Sequence, residues 1–395
     1  MDTARFVAER AARLRPPSAI ATLLVVLVFH GAYLLAHGVM IAPDSRAYAY
    51  WSQRLIESGF DYPTLLAQAD TGFPALLYAL FATVVAMLRL IFGAHWGAAV
   101  VALNFAAHAG LALLIVRLAS RLTGKGVAGW TALALFLACF DLLRWMPFIL
   151  SDTSFVCLAF IIFTLAARRI LGEAKGWTKV LAVAAAGVVY RPTGMVLLPD
   201  LAWAIFLSRT WNRLWRRAIL LAALAAAIIA LALAFAWLMQ DPARWPFKPL
   251  SGPFRTVAAE YALGEVVSAQ TGTYHAPPHA LGDFILISAD RFAHFFAIGL
   301  AGFSLAHWLV ELAFFLPCYA LAGWMVVALW RGDSGLAAPE RKVFLAAIGA
   351  VLAYAVFHGL IQVDFDWRYR GPILPHLMLL AAGGAADLVR RLQPR

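Results

Sequence analysis

Apolar stretches follow one another along the whole chain, with short polar segments between them. A helix needs about 20 residues to cross the hydrocarbon core of a bilayer, and most of these stretches come close to that length. Inside a membrane only helices and closed barrels satisfy their own backbone polar groups, and runs this long are typical of helices. The pattern predicts an all-α polytopic membrane protein with about ten transmembrane helices. The predicted spans are residues 18–41, 97–118, 127–146, 153–171, 178–190, 194–208, 217–239, 307–330, 343–362 and 372–389.

Two further apolar segments, residues 74–92 and 284–303, do not fit the alternation of spans. Arg89 interrupts the first, and Asp290 and Arg291 interrupt the second. We expect membrane-surface or re-entrant helices on the outer face, where protein can cover their polar groups. Crossing of the membrane by both segments is the alternative.

The composition agrees with a membrane protein, because 63% of the residues are hydrophobic and only 13% are charged. The charged share is about half of that in a soluble globular chain, which excludes a soluble globule and a disordered chain. We expect one transmembrane domain over residues 1–395. It includes a first outer loop with juxtamembrane helices at 42–96 and a large outer loop at 240–306.

The net charge of +11 would suit a nucleic-acid partner, but the positions of the basic residues argue against one. They gather in clusters between the predicted spans, and the positive-inside rule puts such clusters in the cytoplasm. Both termini are then cytoplasmic, and the remaining loops are mildly acidic and lie outside. The clusters are Arg5/Arg10/Arg13/Arg15, Arg117/Arg121/Lys125, Arg168/Arg169/Lys175/Lys179, Arg209/Arg213/Arg216/Arg217, Arg331/Arg341/Lys342 and Arg390/Arg391/Arg395.

Familiar metal, nucleotide and protease motifs are missing from the sequence. The three cysteines lie within apolar runs and have neither disulfide nor zinc spacing. His275 and His279 have helical ligand spacing, but Pro277 and Pro278 between them exclude the helix, so no metal site is predicted. There is no Walker loop, GxGxxG or HExxH. A sugar or phosphate donor should therefore arrive already attached to a lipid.

The segment from Pro43 to Trp51 begins where the first span leaves the membrane. Tyr48, Trp51 and Leu55 recur at i, i+3 and i+7, which predicts a short amphipathic helix along the surface. Asp44 at its start has two interpretations. It is either the N-cap of the helix or a general base that takes a proton from a hydroxyl group.

Asp152 and Arg191 mark two other outer turns. Asp152 is a second N-cap candidate, at the start of the span 153–171. Arg191 lies in Tyr-Arg-Pro-Thr-Gly, with Pro192 placed as a first helical residue. Its side chain either reaches to lipid headgroups or forms a buried anion site.

The short segment from Asp364 to Arg370 precedes the last span and carries two acids and two arginines. It is either a self-neutralising loop or a rigid phosphate-binding fork of Arg368 and Arg370, beside Gly371-Pro372. Like the turns at Asp152 and Arg191, it lies on the predicted outer side.

Together these segments resemble the GT-C glycosyltransferases, which are multi-helix membrane enzymes that use polyprenyl-phosphate sugars. Protein O-mannosyltransferases and the lipid A aminoarabinose transferase belong to this group. The resemblance rests on Asp44 followed by Tyr48, on Arg-Pro-Thr-Gly at 191–194 and on Arg-Tyr-x-x-Pro-x-x-Pro at 368–375. These motifs are short, and their joint occurrence on one face carries the likeness.

The resemblance implies a GT-C-like bundle in a bacterial inner membrane with its active site facing the periplasm. A sugar would pass from a polyprenyl-phosphate donor to a hydroxyl acceptor, with inversion. By match, Asp44 is the catalytic carboxylate and Asp152 the acidic residue of the second outer loop. We expect donor-phosphate contacts from Arg191, Arg368, Arg370 and Lys248, and sugar or acceptor contacts from Tyr48, Trp51, Trp367, Tyr369 and His275.

Two departures from the family bear on cofactor and acceptor. Ser45 follows Asp44 where many relatives have Glu, so use of a divalent metal stays open, and no other cofactor is expected. The chain ends at Arg395 without the large C-terminal soluble domain of some members, which favours a lipid or glycan acceptor over a folded protein.

A transporter or flippase of a lipid-linked glycan is the alternative function, because it would also need phosphate-binding arginines and a lipid groove. Such proteins usually place charged sites near the bilayer midplane and often contain repeats. The charges here lie at the rim, and no repeat is visible. A purely structural membrane subunit would leave the outer-face cluster unexplained.

Overall fold

The computed structural model describes residues 11, 14–67, 75–208, 218–219, 280–299, 302–361 and 367–393. This part of the chain is helical and contains no β-strand. The main helices are α1 (Ala19–His37), α2 (Pro43–Glu57), α3 (Ala79–Phe92), α4 (Trp96–Thr123), α5 (Gly126–Ala138), α6 (Asp152–Ile170), α7 (Thr178–Val188), α8 (Leu197–Ser208), α9 (Leu281–His294), α10 (Leu305–Arg331), α11 (Ala338–Ile361) and α12 (Leu374–Leu392). Short helical turns lie at Tyr62–Ala67, Ala75–Tyr78, Gly93–His95, Phe140–Leu143, Pro192–Val196 and Trp367–Ile373.

The predicted spans that fall in the described residues overlap helices, and 217–239 lies almost wholly outside them. The predicted span 127–146 is not one helix, because α5 ends at Ala138 and a separate turn follows at Phe140–Leu143. Within the described residues, six helical stretches are long and apolar enough to cross a membrane, which fits a multi-pass membrane protein. They are Ala19–His37, Ala79–Thr123, Asp152–Ile170, Leu305–Arg331, Ala338–Leu360 and Arg368–Leu392. The helices α5, α7 and α8 are shorter; α5 has 13 residues, about 20 Å at 1.5 Å per residue.

The amphipathic helix predicted after the first span is present as α2. Tyr48, Trp51 and Leu55 are buried along one face, whereas the neighbouring Tyr50 is exposed. The buried face packs against α3. Arg89, which interrupts the apolar pattern of α3, donates hydrogen bonds to α2 at the Ala49 carbonyl (2.6 Å) and the Ser52 hydroxyl (3.0 Å).

The two ambiguous segments both form helices of 14 residues, α3 and α9. A single helix of this length spans about 21 Å, less than the thickness of a hydrocarbon core. α3 leads through Gly93–His95 into α4, and α9 packs against α11.

Described members of the predicted basic clusters lie together at one end of the bundle, which we name the basic end. Arg121 at the end of α4 pairs with Glu173 after α6 (2.7 Å) and with Glu340 at the start of α11 (3.7 Å). Arg391 at the end of α12 pairs with Asp333 after α10 (2.6 Å). Exposed pairs of this kind stabilise little. Their value here is geometric, because they show which helix ends lie together.

α12 is the most enclosed helix, and it packs along α10. Gly383 and Gly384 permit the approach, since a Cβ at Gly384 would overlap the Leu321 carbonyl oxygen. Small residues let helix backbones come close in membranes, where apolar burial drives association only weakly. The segment Trp367–Ile373 directly precedes this tightly packed helix, at the end opposite the basic end. We name this opposite end the site end.

Candidate active site

Four charged residues from distant parts of the chain meet at the site end. The Arg368 Nη1 atom lies 2.8 Å from Asp44 Oδ2, and the Arg191 Nη1 atom lies 2.5 Å from Asp152 Oδ2. The ring of Tyr369 joins the two pairs, because its centroid is 5.7 Å from the Arg191 guanidinium carbon and 5.9 Å from that of Arg368. The helix starts and turns singled out from the sequence thus belong to one site.

Asp44 is a partly open carboxylate in the first turn of α2. Ala42 is the N-cap residue and Pro43 the first helical residue; the Ala42 amide donates to the Ser45 hydroxyl at 2.9 Å. The N-cap interpretation of Asp44 is therefore wrong, although its negative charge still suits the helix N-terminus. The side chain is 47% exposed, so a substrate can approach it while Arg368 holds it.

Asp152 and Arg191 form an enclosed ion pair, with side chains only 7% and 6% exposed. Ser151 is the N-cap residue of α6, so the N-cap interpretation of Asp152 is also wrong. The burial of Arg191 likewise overturns the interpretation that it reaches lipid headgroups. Asp152 Oδ1 has no hydrogen-bond partner within the described part of the chain. Buried charges of this kind are costly unless paired, so the pair fixes the position of both groups.

Local structure around Arg191 explains its fixed position. Pro192 opens the short helix Pro192–Val196, and a Cβ at Gly194 would overlap the backbone of Gly187 at the end of α7. The Tyr190 hydroxyl donates to the Ser154 hydroxyl of α6 at 2.7 Å. Burial raises the pKa of Tyr190 to about 12, so the hydroxyl stays protonated at neutral pH and acts as a donor.

Tyr48 lies behind the ion pairs and faces the interior. Its hydroxyl is 3.1 Å from the Ser151 hydroxyl, and its ring meets Phe81 edge-on at 4.8 Å between centroids. Burial raises the pKa of both Tyr48 and Tyr78, which keeps both phenols neutral. Trp51 belongs to a small apolar cluster under α2. Neither ring named from the sequence as a sugar contact on α2 presents an open face in this structure.

Arg370 has different surroundings from Arg368, and the two do not form a common fork. Its guanidinium lies 2.5 Å from Asp141 and 3.5 Å from Glu311, above the ring of Phe315 at 4.2 Å. The side chain of Arg370 is 4% exposed, and both acids are 1% exposed. Neither acid was singled out from the sequence. The available signal was a charged residue inside an apolar span, which is a functional suspect by default.

Trp145 carries two cations at the rim of the site. Its ring centroid is 5.3 Å from the Arg368 guanidinium carbon and 4.7 Å from that of Arg144. Neither Trp145 nor Arg144 was predicted from the sequence as a site residue. A lone arginine beside a tryptophan at the outer end of a span was the signal.

The remaining predicted contacts cannot be placed. Lys248 and His275 lie outside the described residues, as do Asp364 and Asp366. Trp367 begins the helical turn before α12, but its side chain is outside the described part. Among the described residues, no group of three or more His, Cys, Asp or Glu side chains is arranged to hold a metal ion.

Comparison with known proteins finds no protein family, no curated protein and no solved structure that matches this chain. The chemistry of the site therefore has to be inferred from its own residues and their contacts.

Proposed function

We propose that the protein is a membrane glycosyltransferase of the GT-C type, which moves a sugar from a polyprenyl-phosphate donor to a hydroxyl acceptor. The observation that supports it is the meeting of Asp44, Asp152, Arg191 and Arg368 at one end of the bundle. Asp44, Arg191 and Arg368 belong to the motifs of the resemblance, and Asp44 and Arg368 meet although they lie 324 positions apart in the chain. An exposed carboxylate beside arginines at a membrane rim suits the transfer of a group from a lipid phosphate.

The proposed reaction is a single displacement. Asp44 accepts the proton of the acceptor hydroxyl, and the acceptor oxygen forms a bond to the anomeric carbon. The bond between that carbon and the phosphate oxygen breaks, and its electron pair leaves with the lipid phosphate. Attack opposite the leaving group inverts the anomeric configuration.

Arg368 connects donor binding to the base. In the structure it neutralises Asp44, with 15% of its own side chain exposed. An arriving phosphate competes for the guanidinium, which frees the Asp44 carboxylate to take a proton. The same guanidinium then stabilises the negative charge that grows on the departing phosphate.

The Asp152–Arg191 pair is the rigid, enclosed part of the site. Its members are held by Ser151, 3.4 Å from Arg191 Nη1, and by the Tyr369 ring. Charges that are already fixed in place need not rearrange during the reaction, and this is how pre-organised charges and dipoles lower an activation barrier. Asp152 and Arg191 act as positioning groups in this scheme.

The experiment that tests the function uses the purified protein in lipid and a polyprenyl-phosphate radiolabelled in its sugar. An envelope extract supplies the acceptor. We expect label to leave the carrier and enter acceptor material in proportion to enzyme. Binding of the carrier without label release, across a panel of sugars, would support the transporter instead.

Sidedness is tested by labelling of introduced cysteines. We propose about ten crossings, with the basic end in the cytoplasm and the site facing the periplasm. The three native cysteines are buried, so background labelling should be low. A membrane-impermeant maleimide should label Glu57→Cys in intact spheroplasts and Lys175→Cys only after permeabilisation. The reverse pattern would place the site in the cytoplasm and contradict the proposal.

Replacement of Arg368 tests its part in turnover. Arg368→Lys keeps the charge but loses the planar guanidinium that lies against Trp145 and Tyr369. We expect turnover to fall about 10²-fold, the size of effect seen when one charge-stabilising donor is removed. The exposed Arg46→Lys on α2 serves as control and should keep wild-type rates. Unchanged kinetics in Arg368→Lys would remove Arg368 from the site.

A further inference from the structure

Arg144 is a cation at the site end that differs from the other site arginines in its partners among the described residues. Arg191, Arg368 and Arg370 each lie within 2.8 Å of a carboxylate oxygen. The guanidinium of Arg144, in contrast, makes no ion pair or hydrogen bond with any other described residue. Its neighbours include the rings of Trp145 and Phe140. Arg144 is partly exposed. No carboxylate in the described part of the chain is therefore paired with Arg144, where an anion could bind.

Phe140 places Arg144 between two long helices. The Phe140 ring meets Tyr33 of α1 edge-on at 6.4 Å and His307 of α10 edge-on at 5.9 Å. Arg144 lies over the same ring, 6.0 Å from its centroid. The turn Phe140–Leu143 thus lies between α1 and α10 at the site end.

An exposed apolar strip runs along α5, the helix that precedes this turn. Its members are Trp130, Ala134 and Ala138, spaced at i, i+4 and i+8 on one helix face. The opposite face of α5 packs against α4 and α12, and both α1 and α10 also pack against α5. The small side chains of Ala134 and Ala138 leave room for a lipid chain over α5. α5 ends at Ala138, so the strip from Trp130 to Ala138 is about 12 Å long at a helical rise, and Cys139 with the turn Phe140–Leu143 connects it to Arg144. Its apolar length with a cation at one end is complementary to a lipid that has an anionic head.

We propose that this strip, Trp130–Ala134–Ala138 with Arg144 at its end, binds the lipid phosphate, with the isoprenoid chain along α5 and the phosphate on Arg144. The inference rests on the proposed function and names the binding site of its donor. Two parallel N–H donors of a guanidinium match a phosphate, so one arginine can orient it. A phosphate on Arg144 sits beside the Trp145 ring that also carries Arg368. Trp145 and Arg368 thus connect the proposed phosphate position to Asp44.

The test measures equilibrium binding of sugar-free, radiolabelled polyprenyl phosphate to the full-length protein in phosphatidylcholine nanodiscs. Because the probe has no sugar, the result does not depend on transfer activity. We expect Arg144→Gln to weaken binding about ten- to hundredfold, the range for loss of a charged hydrogen bond. Arg46→Gln, which alters an exposed arginine on α2, should bind as wild type does.

Competitors separate the sources of the phosphate contact. Unlabelled polyprenyl phosphate should displace the probe, whereas the uncharged polyprenol, inorganic phosphate and phosphatidylglycerol should do so poorly. Ala138→Trp, a change on the exposed strip, should weaken binding of the long-chain probe more than that of a short-chain prenyl phosphate. Equal displacement by phosphatidylglycerol would make Arg144 a general headgroup contact and overturn the proposal.

The outcomes of the two proposals differ. If Arg144→Gln has unchanged melting and binds polyprenyl phosphate within twofold of wild type, the strip is not the phosphate site. The proposed transferase activity still holds in that case, provided that wild type releases sugar. If wild type binds polyprenyl phosphate tightly, Arg144→Gln does not, and wild type releases no sugar, the result supports the strip as the phosphate site and contradicts the transferase activity. Absence of any polyprenyl-phosphate binding by wild type would overturn the strip.

Discussion

Asp44→Asn is expected to lower the rate of sugar transfer by about 10²–10⁴-fold, the usual contribution of a general base. The amide has the size of the carboxylate but cannot take up the proton of the acceptor hydroxyl. Folding should be almost unaffected, because an ion pair with a half-exposed partner stabilises by about 0–1 kcal/mol. Initial rates of label transfer at saturating donor, together with a melting curve, measure both.

Donor binding should respond in the opposite direction. Asp44→Asn removes the negative charge that competes with phosphate for Arg368, so the variant should bind polyprenyl phosphate at least as tightly as wild type. A matched control is Asp61→Asn, because Asp61 is exposed and accepts a hydrogen bond from the Thr64 amide that an amide oxygen can also accept. Wild-type rates in Asp44→Asn would show that Asp44 is not the base. Loss of both rate and binding would give it a positioning role instead.

The helices were predictable because their signals are local. The spacing of Tyr48, Trp51 and Leu55 marked the buried face of α2, since helical periodicity needs no knowledge of distant contacts. Alternating basic clusters predicted which helix ends lie together, and Arg121 and Arg391 join those ends in the structure. Such a prediction works because charge is costly inside a membrane and is confined to its surfaces.

The two N-cap interpretations failed, by two residues at Asp44 and by one at Asp152, for a reason visible in the sequence. Proline favours the first helical position, so Pro43 puts the N-cap at Ala42 and moves Asp44 into the first turn. Ser151 similarly takes the cap position before Asp152. Both acids are thereby left to meet an arginine rather than their own helix.

The grouping of arginines was not predictable, because it depends on tertiary packing. Arg368 and Arg370 are two positions apart, yet one faces Asp44 and the other faces Asp141 and Glu311. In the helical turn Trp367–Ile373, residues two apart point in different directions. A common fork would have needed another spacing, and the choice of partner depends on where α10 and Phe140–Leu143 lie.

Arg370→Met is expected to be among the most destabilising single changes at the site end. It leaves Asp141 and Glu311, each 1% exposed, without their cation. Removal of one partner from a buried ion pair typically costs about 3–5 kcal/mol, because an uncompensated charge remains in a medium that solvates it poorly. Thermal unfolding in nanodiscs should show a clearly lowered midpoint, whereas Arg46→Met, on the exposed side of α2, should not.

Neutralising the acids separates a charge effect from a loss of packing. In the triple variant Arg370→Met, Asp141→Asn, Glu311→Gln, no uncompensated charge remains, so most of the lost stability should return. Failure of this rescue would attribute the loss to the contact of Arg370 with Phe315. A stable Arg370→Met variant that binds polyprenyl phosphate weakly would instead return Arg370 to the phosphate site. The structure argues against that result, because a guanidinium already shared by two buried carboxylates can accept a phosphate only if one of them gives way.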